Sequence, residues 1–252
     1  MTQEELATIL TAHERWLEAG EGDGQADLSN SDLRGLDVAG RDLSMATLTG
    51  SNLGGCCLAG TRLVDADLFD ANLAEADLTG ADLTGADLRG ANLHGTNLTD
   101  AVLVESNLRR GLGMSDDPET PPRVIQQDLR GACLKGADLT GADALAVDLE
   151  GASLEAATLA GIQLQGARLD GANLAGADLN GALLEGASCV GTDLRGANLQ
   201  GADLVGAVLD GANLAGANMT DARLEDTMLA DHPADAPLPP GKPAGQLVDK
   251  IN

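Results

Sequence analysis

Residues 66–90 read Ala-Asp-Leu-Phe-Asp, Ala-Asn-Leu-Ala-Glu, Ala-Asp-Leu-Thr-Gly, Ala-Asp-Leu-Thr-Gly, Ala-Asp-Leu-Arg-Gly. Leucine returns every fifth residue, at Leu68, Leu73, Leu78, Leu83 and Leu88. Alanine stands two places before each leucine, Asp or Asn one place before, and often glycine two places after. This repeat fits neither the 3.6-residue period of a helix nor a sustained alternation of two. It does fit three extended residues followed by a tight corner. In the extended part Ala and Leu share one face, and the Asp or Asn between them points the other way. The corner runs from Leu to the next Ala. A type II turn there needs a positive φ at its third residue, the place that glycine holds. Each unit then turns the chain by about a right angle. Four units close a square coil, and successive coils stack through β-type hydrogen bonds.

Followed outward, the repeat fills most of the 252 residues. A first array has centres from Leu28 to Leu108, and a second, out of phase with it, from Leu129 to Leu229. Of 38 centres, 34 are leucine; the exceptions are Val38, Ala144, Cys189 and Met219. Over residues 26–110 and 127–231 the pattern resembles the pentapeptide repeat family. The resemblance implies an all-β solenoid, a right-handed quadrilateral β-helix. Its narrow interior suits stacked Leu and Ala and accounts for a chain whose only aromatic residues are Trp16 and Phe69. At about 4.8 Å per coil, the units make a rod roughly 45 Å long, and a rod of stacked coils needs a cap at each end.

The chain divides into five parts: a capping helix and lead-in (1–25), a first array (26–110), an inserted loop (111–126), a second array (127–231) and a tail (232–252). Residues 2–19 predict the helix. Thr2 and Glu5 form a capping box, Leu6, Ile9, Leu10, His13 and Leu17 lie on one face with Trp16 beside them, and Gly20 stops it. The inserted segment is rich in Gly, Pro and Asp, as loops are. Val124 is in phase with Leu129, which would make it a central residue and confine the excursion to 111–121. The loop residues Met114, Asp116, Asp117 and Glu119 are candidates for recognition, since loops thrown from a rigid scaffold often carry function. Arg109, Arg110, Arg123 and Arg130 cluster at the loop's base, either neutralising nearby acids or holding the loop. The tail carries five prolines and a short apolar patch, Leu247, Val248 and Ile251. That patch suits either the last coil or a second subunit.

No catalytic constellation is visible. His13, His94 and His232 are scattered; Cys56 and Cys189 fall on inward places, Cys57 and Cys133 on outward ones in different coils. No CxxC, metal-spaced His/Cys pair or phosphate-binding glycine loop occurs. The expectation is a protein with no cofactor, no metal and no enzymatic activity. Forty acids against 15 bases give a net charge of −25, which disfavours nucleic acid and anionic membranes as partners. No apolar run approaches the ~18 residues of a membrane span. The N-terminus shows no secretory pattern. Four cysteines do not make a disulfide framework. A cytoplasmic setting is expected.

Residues 26–231 carry 32 acids and 12 bases. Over the rod this is about one net charge per 2.3 Å, against about one per 1.7 Å for duplex DNA. Units four apart should share a face. In the second array two adjoining faces hold most of the excess: the column of Leu129, Leu149, Leu169, Cys189, Leu209 and Leu229, and the column of Ala144, Leu164, Leu184, Leu204 and Leu224. Their acids Asp128, Asp143, Asp148, Glu150, Asp170, Glu185, Asp203, Asp210, Glu225, Asp226 and Asp231 form an edge that is the candidate partner-binding surface. The alternative is a solvated coat that keeps the rod soluble.

Two functions follow. One is a non-catalytic protein-binding scaffold, acting as monomer or homodimer. The other is implied by the resemblance alone. Some pentapeptide repeat proteins bind DNA gyrase or topoisomerase IV as mimics of DNA, and protect the enzyme from quinolones or natural toxins. This chain shares their acidic rod and projecting loop. Unlike them it has no phenylalanine centres and no clear C-terminal dimerisation helix.

Overall fold

The structure, a computed structural model, describes residues 1–20, 23–113 and 121–227. It contains helix α1 (Gln3–Ala19) and strands β1 (Gly111–Gly113) and β2 (Arg123–Ile125). Elsewhere the backbone forms one parallel bridge per five-residue unit, each followed by a turn. The corners recur too often for longer strands to form. The bridges join residues 20 apart: Asp27 to Thr47, Asp32 to Asn52, Asp37 to Cys57, Asp42 to Arg62. Twenty residues are four units, so the chain winds in stacked four-unit coils. We number the faces by their first centres: face 1 starts at Leu28, face 2 at Leu33, face 3 at Val38 and face 4 at Leu43.

Backbone groups are satisfied between coils. Leu48 N donates to Asp67 O at 2.7 Å, Thr47 N to Ala26 O at 2.9 Å, and Gly50 N to Phe69 O at 2.8 Å. Each corner closes on itself, as where Ser51 N donates to Leu48 O at 3.0 Å. The central leucines and the alanines before them form one continuous buried core. Where a polar residue takes the alanine place, it can reach a carbonyl of the preceding coil: Thr61 Oγ1 donates to Val38 O, Thr96 Oγ1 to Leu73 O and Thr192 Oγ1 to Leu169 O. Cys56 and Cys189 point inward, and burial pushes the Cys189 thiol up to about 12, so it packs as an apolar group.

The outward Asp or Asn holds the corner. Asp77 Oδ1 accepts from Thr79 N at 3.1 Å and from Thr79 Oγ1 at 2.6 Å, the Asx turn that suits these residues to turns. Asn does more, because its amide also donates. Asn92 Nδ2 reaches Asn72 Oδ1, and Asn72 Nδ2 reaches Asn52 Oδ1, both at 3.0 Å. The third corner residue has a positive φ, as at Gly85 (68°). Asp65 tolerates this place (55°) one coil below, and a Cβ on Gly85 would collide with Asp65 Oδ1.

Helix α1 closes the first coil. Its capping box is complete: Thr2 N donates to Glu5 Oε2 and Glu5 N to Thr2 Oγ1, and Gly20 ends it in the left-handed region. Leu6, Leu10 and His13 are buried beneath it. Gln3 pairs with the Asp37 backbone at both its amide atoms, and Glu14 binds the Arg41 guanidinium at 2.6 Å.

Across the insertion the bridge spacing changes. Asn92 pairs with Asp128, Asn97 with Cys133, Val102 with Asp138 and Asn107 with Asp143. These residues are 36 apart instead of 20, so residues 111–126 lie outside the coil. Leu129 therefore stacks on face 2 and Ala144 on face 1. The excursion leaves face 1 after Leu108 and returns on face 2. Val124 is not a central residue, contrary to the phase argument. It is 45% exposed and lies in β2 opposite Leu112, because the strand has left the coil and pairs with β1 instead.

Candidate functional site

The insertion is held from below. Strands β1 and β2 pair antiparallel, Gly111 with Ile125 and Gly113 with Arg123. Gly111 packs so tightly on Phe69 that a Cβ there would lie 3.0 Å from the ring. Ile125 lies over Gly90, where a Cβ would come within 2.8 Å. The Arg89 guanidinium sits 5.6 Å from the Phe69 ring centre and pairs with Asp87. Arg123 reaches Asp70 at 3.3 Å. The ribbon thus lies against the coils N-terminal to it, on face 1. Its outer face shows Leu112 and Val124, both exposed. Met114, Asp116, Asp117 and Glu119 lie outside the described residues.

The four arginines at the base do not form one group. Arg109 binds Asp143 at 2.6 Å, Arg123 binds Asp70, and Arg130 binds Asp128 at 2.6 Å. Arg110 is exposed and makes no ion pair among the described residues.

The acidic edge is continuous in space. Asp128, Asp148, Glu150, Asp170 and Asp210 stand on face 2, and Asp143, Glu185, Asp203 and Glu225 on face 1, with Asp226 at the corner that follows. The corner between these faces is the one from which the insertion departs. Linear sequence hid this alignment, because the phase slip leaves the stacking of the two arrays undetermined.

The edge is a mosaic of charges. Arg168 holds Asp148 at 3.0 Å and Glu150 at 2.7 Å, with Asp170 at 4.0 Å. Arg223 holds Asp203 at 2.6 Å and Glu225 at 3.7 Å. The Arg130 guanidinium keeps the Asp128 carboxyl below its ordinary range. Asp170 also accepts from Ser188 Oγ at 2.5 Å and from Val190 N at 3.0 Å. Asp128, Asp143, Asp148, Glu150, Asp170, Asp203 and Glu225 therefore each meet an arginine. Glu185 is exposed and makes no ion pair among the described residues. Asp231 and the tail lie outside them. Two exposed aliphatic residues, Leu183 and Val190, share these faces. Their signal in the sequence is an apolar residue at a place where the unit calls for a polar one.

His13 does not form a ligand site. Its Nδ1 accepts from Ala26 N and its Nε2 meets Ser44 O, each at 3.0 Å, with Trp16 stacked on the ring. Among the described residues no three His, Cys, Asp or Glu side chains converge to hold a metal ion. No helix among them is long and apolar enough to cross a membrane.

The model of pentapeptide repeats, in eight copies, matches residues 26–65, 66–104, 148–186 and 187–226. No curated protein matches the chain. Among solved structures, HetL of the cyanobacterium Nostoc sp. strain PCC 7120, a pentapeptide repeat protein involved in heterocyst differentiation regulation, is 33% identical. That match covers 86% of this chain and 95% of HetL, with a TM-score of 0.39. QnrB1, a plasmid-mediated fluoroquinolone resistance protein, is 16% identical over 80% of this chain and 93% of its own, with a TM-score of 0.63. Pentapeptide repeat proteins fold as right-handed quadrilateral β-helices and are generally non-catalytic structural or binding proteins. The five-residue unit, the four-unit coil and the family match agree, and this chain belongs to the pentapeptide repeat family.

Proposed function

We propose that the chain is a non-catalytic protein-binding scaffold, a right-handed quadrilateral β-helix whose faces 1 and 2 present the binding surface. The carrying observation is the pairing of the acidic edge with Arg109, Arg130, Arg168 and Arg223. Duplex DNA presents an unbroken row of negative charges. This edge intersperses its acids with four arginines in fixed positions, which suits recognition by a complementary protein surface. The arginines are exposed and their carboxylates half-buried, so the pairs add specificity more than stability.

The test is affinity capture from lysate of the source organism. The full chain is compared with a variant carrying Asp148→Asn, Glu150→Gln, Asp170→Asn and Asp210→Asn. The scaffold reading expects a defined protein retained by the wild type and lost by the variant. Identical recoveries from both would refute it. A second reading, a DNA mimic directed at gyrase or topoisomerase IV, draws on the net acidity of the rod. Purified chain in a supercoiling assay, with and without a fluoroquinolone, decides between them. The scaffold expects neither inhibition nor protection at micromolar concentrations.

A further inference from the structure

The base of the rod is closed by side chains that stand in for a missing coil. Higher up, an outward residue exchanges both backbone groups with the coil beneath it: Cys57 N donates to Leu36 O, and Cys57 O accepts from Val38 N. Asp37 lies in the first coil. Its O accepts from Gln3 Nε2 at 2.7 Å and its N donates to Gln3 Oε1 at 3.0 Å, so one peptide-like carboxamide of α1 supplies both partners. Ala46 N donates to Leu43 O of the preceding unit. Ala26 opens the array, and its N donates to His13 Nδ1 instead. Val64 O accepts from Met45 N of the coil beneath, whereas Ser44 O, one coil lower, meets His13 Nε2 at 3.0 Å. Of the side chains that make these contacts, His13 is the one that titrates near neutral pH.

We propose that α1 is an acid-released cap: protonation of His13 undocks it from the first coil and opens a strand edge at the base of the rod, while the stacked coils stay intact. The ring is wholly buried, with Trp16 stacked on it. A proton on Nδ1 turns that acceptor into a donor and sets it against the Ala26 N–H. The charged groups facing the ring are Asp42 of the first coil and Glu14 of the helix. Asp42 is already held by Arg62 and Ser44, and Glu14 by Arg41. These carboxylates favour the charged ring, but burial opposes it more strongly and holds its pKa below the ordinary value. The docked state therefore prefers the neutral ring, and acid shifts the population toward the released one. The coils above are joined by backbone bonds around a core of Leu and Ala, groups that do not titrate. Release strips the cap partners from Asp37 N and O, Ala26 N and Ser44 O, the kind of edge that native sheets keep covered.

Trp16 is the chain's single tryptophan, so its fluorescence reads the cap and not the coils. The full chain is titrated from pH 7.5 to pH 5. Trp16 emission is expected to move to longer wavelength, and acrylamide quenching to rise, with a midpoint below the ordinary imidazole value of about 6.5. Amide chemical shifts of the coils above the first should hold throughout. Gln3→Ala removes a clamp that does not titrate, so release should begin at a higher pH than in wild type. His13→Gln has no titrating ring and should show no pH-dependent shift of emission. Emission unchanged down to pH 5 would overturn the proposal. So would a fall in intensity with no change in wavelength or acrylamide access, which means that the ring takes its proton in place. A midpoint unmoved by Gln3→Ala, the same transition in His13→Gln, or coil shifts lost together with the cap would each overturn it too.

Discussion

His13 shows how one side chain ties a cap to a coil. It is wholly buried, accepts a hydrogen bond from Ala26 N at Nδ1, and so donates from Nε2 to Ser44 O. Both nitrogens are committed only in the neutral ring. Burial lowers the His13 pKa from its ordinary value, outweighing the Ser44 carbonyl and the nearby carboxylates of Asp42 and Glu14, the latter already paired with Arg41. The sign of the linkage follows. The unfolded chain takes up a proton near the ordinary value of about 6.5, and the folded chain resists it. The stabilisation is therefore complete above that value and is lost as pH falls through the lowered one. Wild type should melt higher than His13→Gln at pH 7.5, and the difference should shrink by pH 5. A difference independent of pH would mean that the ring takes up its proton at the same pH in the folded and the unfolded chain. His13 was legible as a residue on the buried face of a helix. Its two backbone partners were not, because they lie 13 and 31 residues away and outside the repeat's register.

Between coils and loop, the β1–β2 ribbon is the element whose placement depends on single departures from the unit. Phe69 and Arg89 occupy the place after the leucine on face 1, and Gly90 the corner above. Phe69 fills the space under Gly111, while the bare Cα of Gly90 admits Ile125. Phe69→Ala should free the ribbon without unfolding the rod, because the ring lies outside the leucine core. Limited trypsin digestion should then cut faster at Arg110 or Arg123, with the melting temperature changed by only a few degrees, as expected for ~1 kcal/mol. Unchanged digestion would show that Arg123 and Asp70 suffice to hold it. The sequence revealed a loop by its Gly, Pro and Asp content. It could not reveal where the loop lies, since Phe69 and Gly111 meet through one pairwise contact that no period encodes. Val124 shows the converse: periodicity alone placed it in the core, and pairing with Leu112 drew it out.

At the scale of the whole molecule, legibility follows from regularity. Within each array the coil bridges join residues 20 apart, so a strict unit such as Ala81-Asp82-Leu83-Thr84-Gly85 is enough to read the stack. The candidate site is built from exceptions such as Leu183, Val190 and Arg168, whose meaning depends on what lies one coil above and below. The insertion tests the same principle. Its 16 residues are three units and one residue more, so retaining them in the coil would put every later leucine out of phase. Looping them out joins Arg110, the last place of one unit, to Gln127, the first place of the next. Deletion of residues 111–126 with Arg110→Gly should therefore yield a seamless coil, the glycine taking the left-handed corner place. The expected product unfolds cooperatively, with a circular dichroism spectrum like that of wild type and a melting temperature within a few degrees. Deleting 15 or 17 residues at the same place should abolish cooperative unfolding of the coils beyond it, because inward and outward places exchange. If all three deletions behaved alike, the stacking of Leu129 over Leu93 would not depend on register, and the coil assignment of the second array would fail.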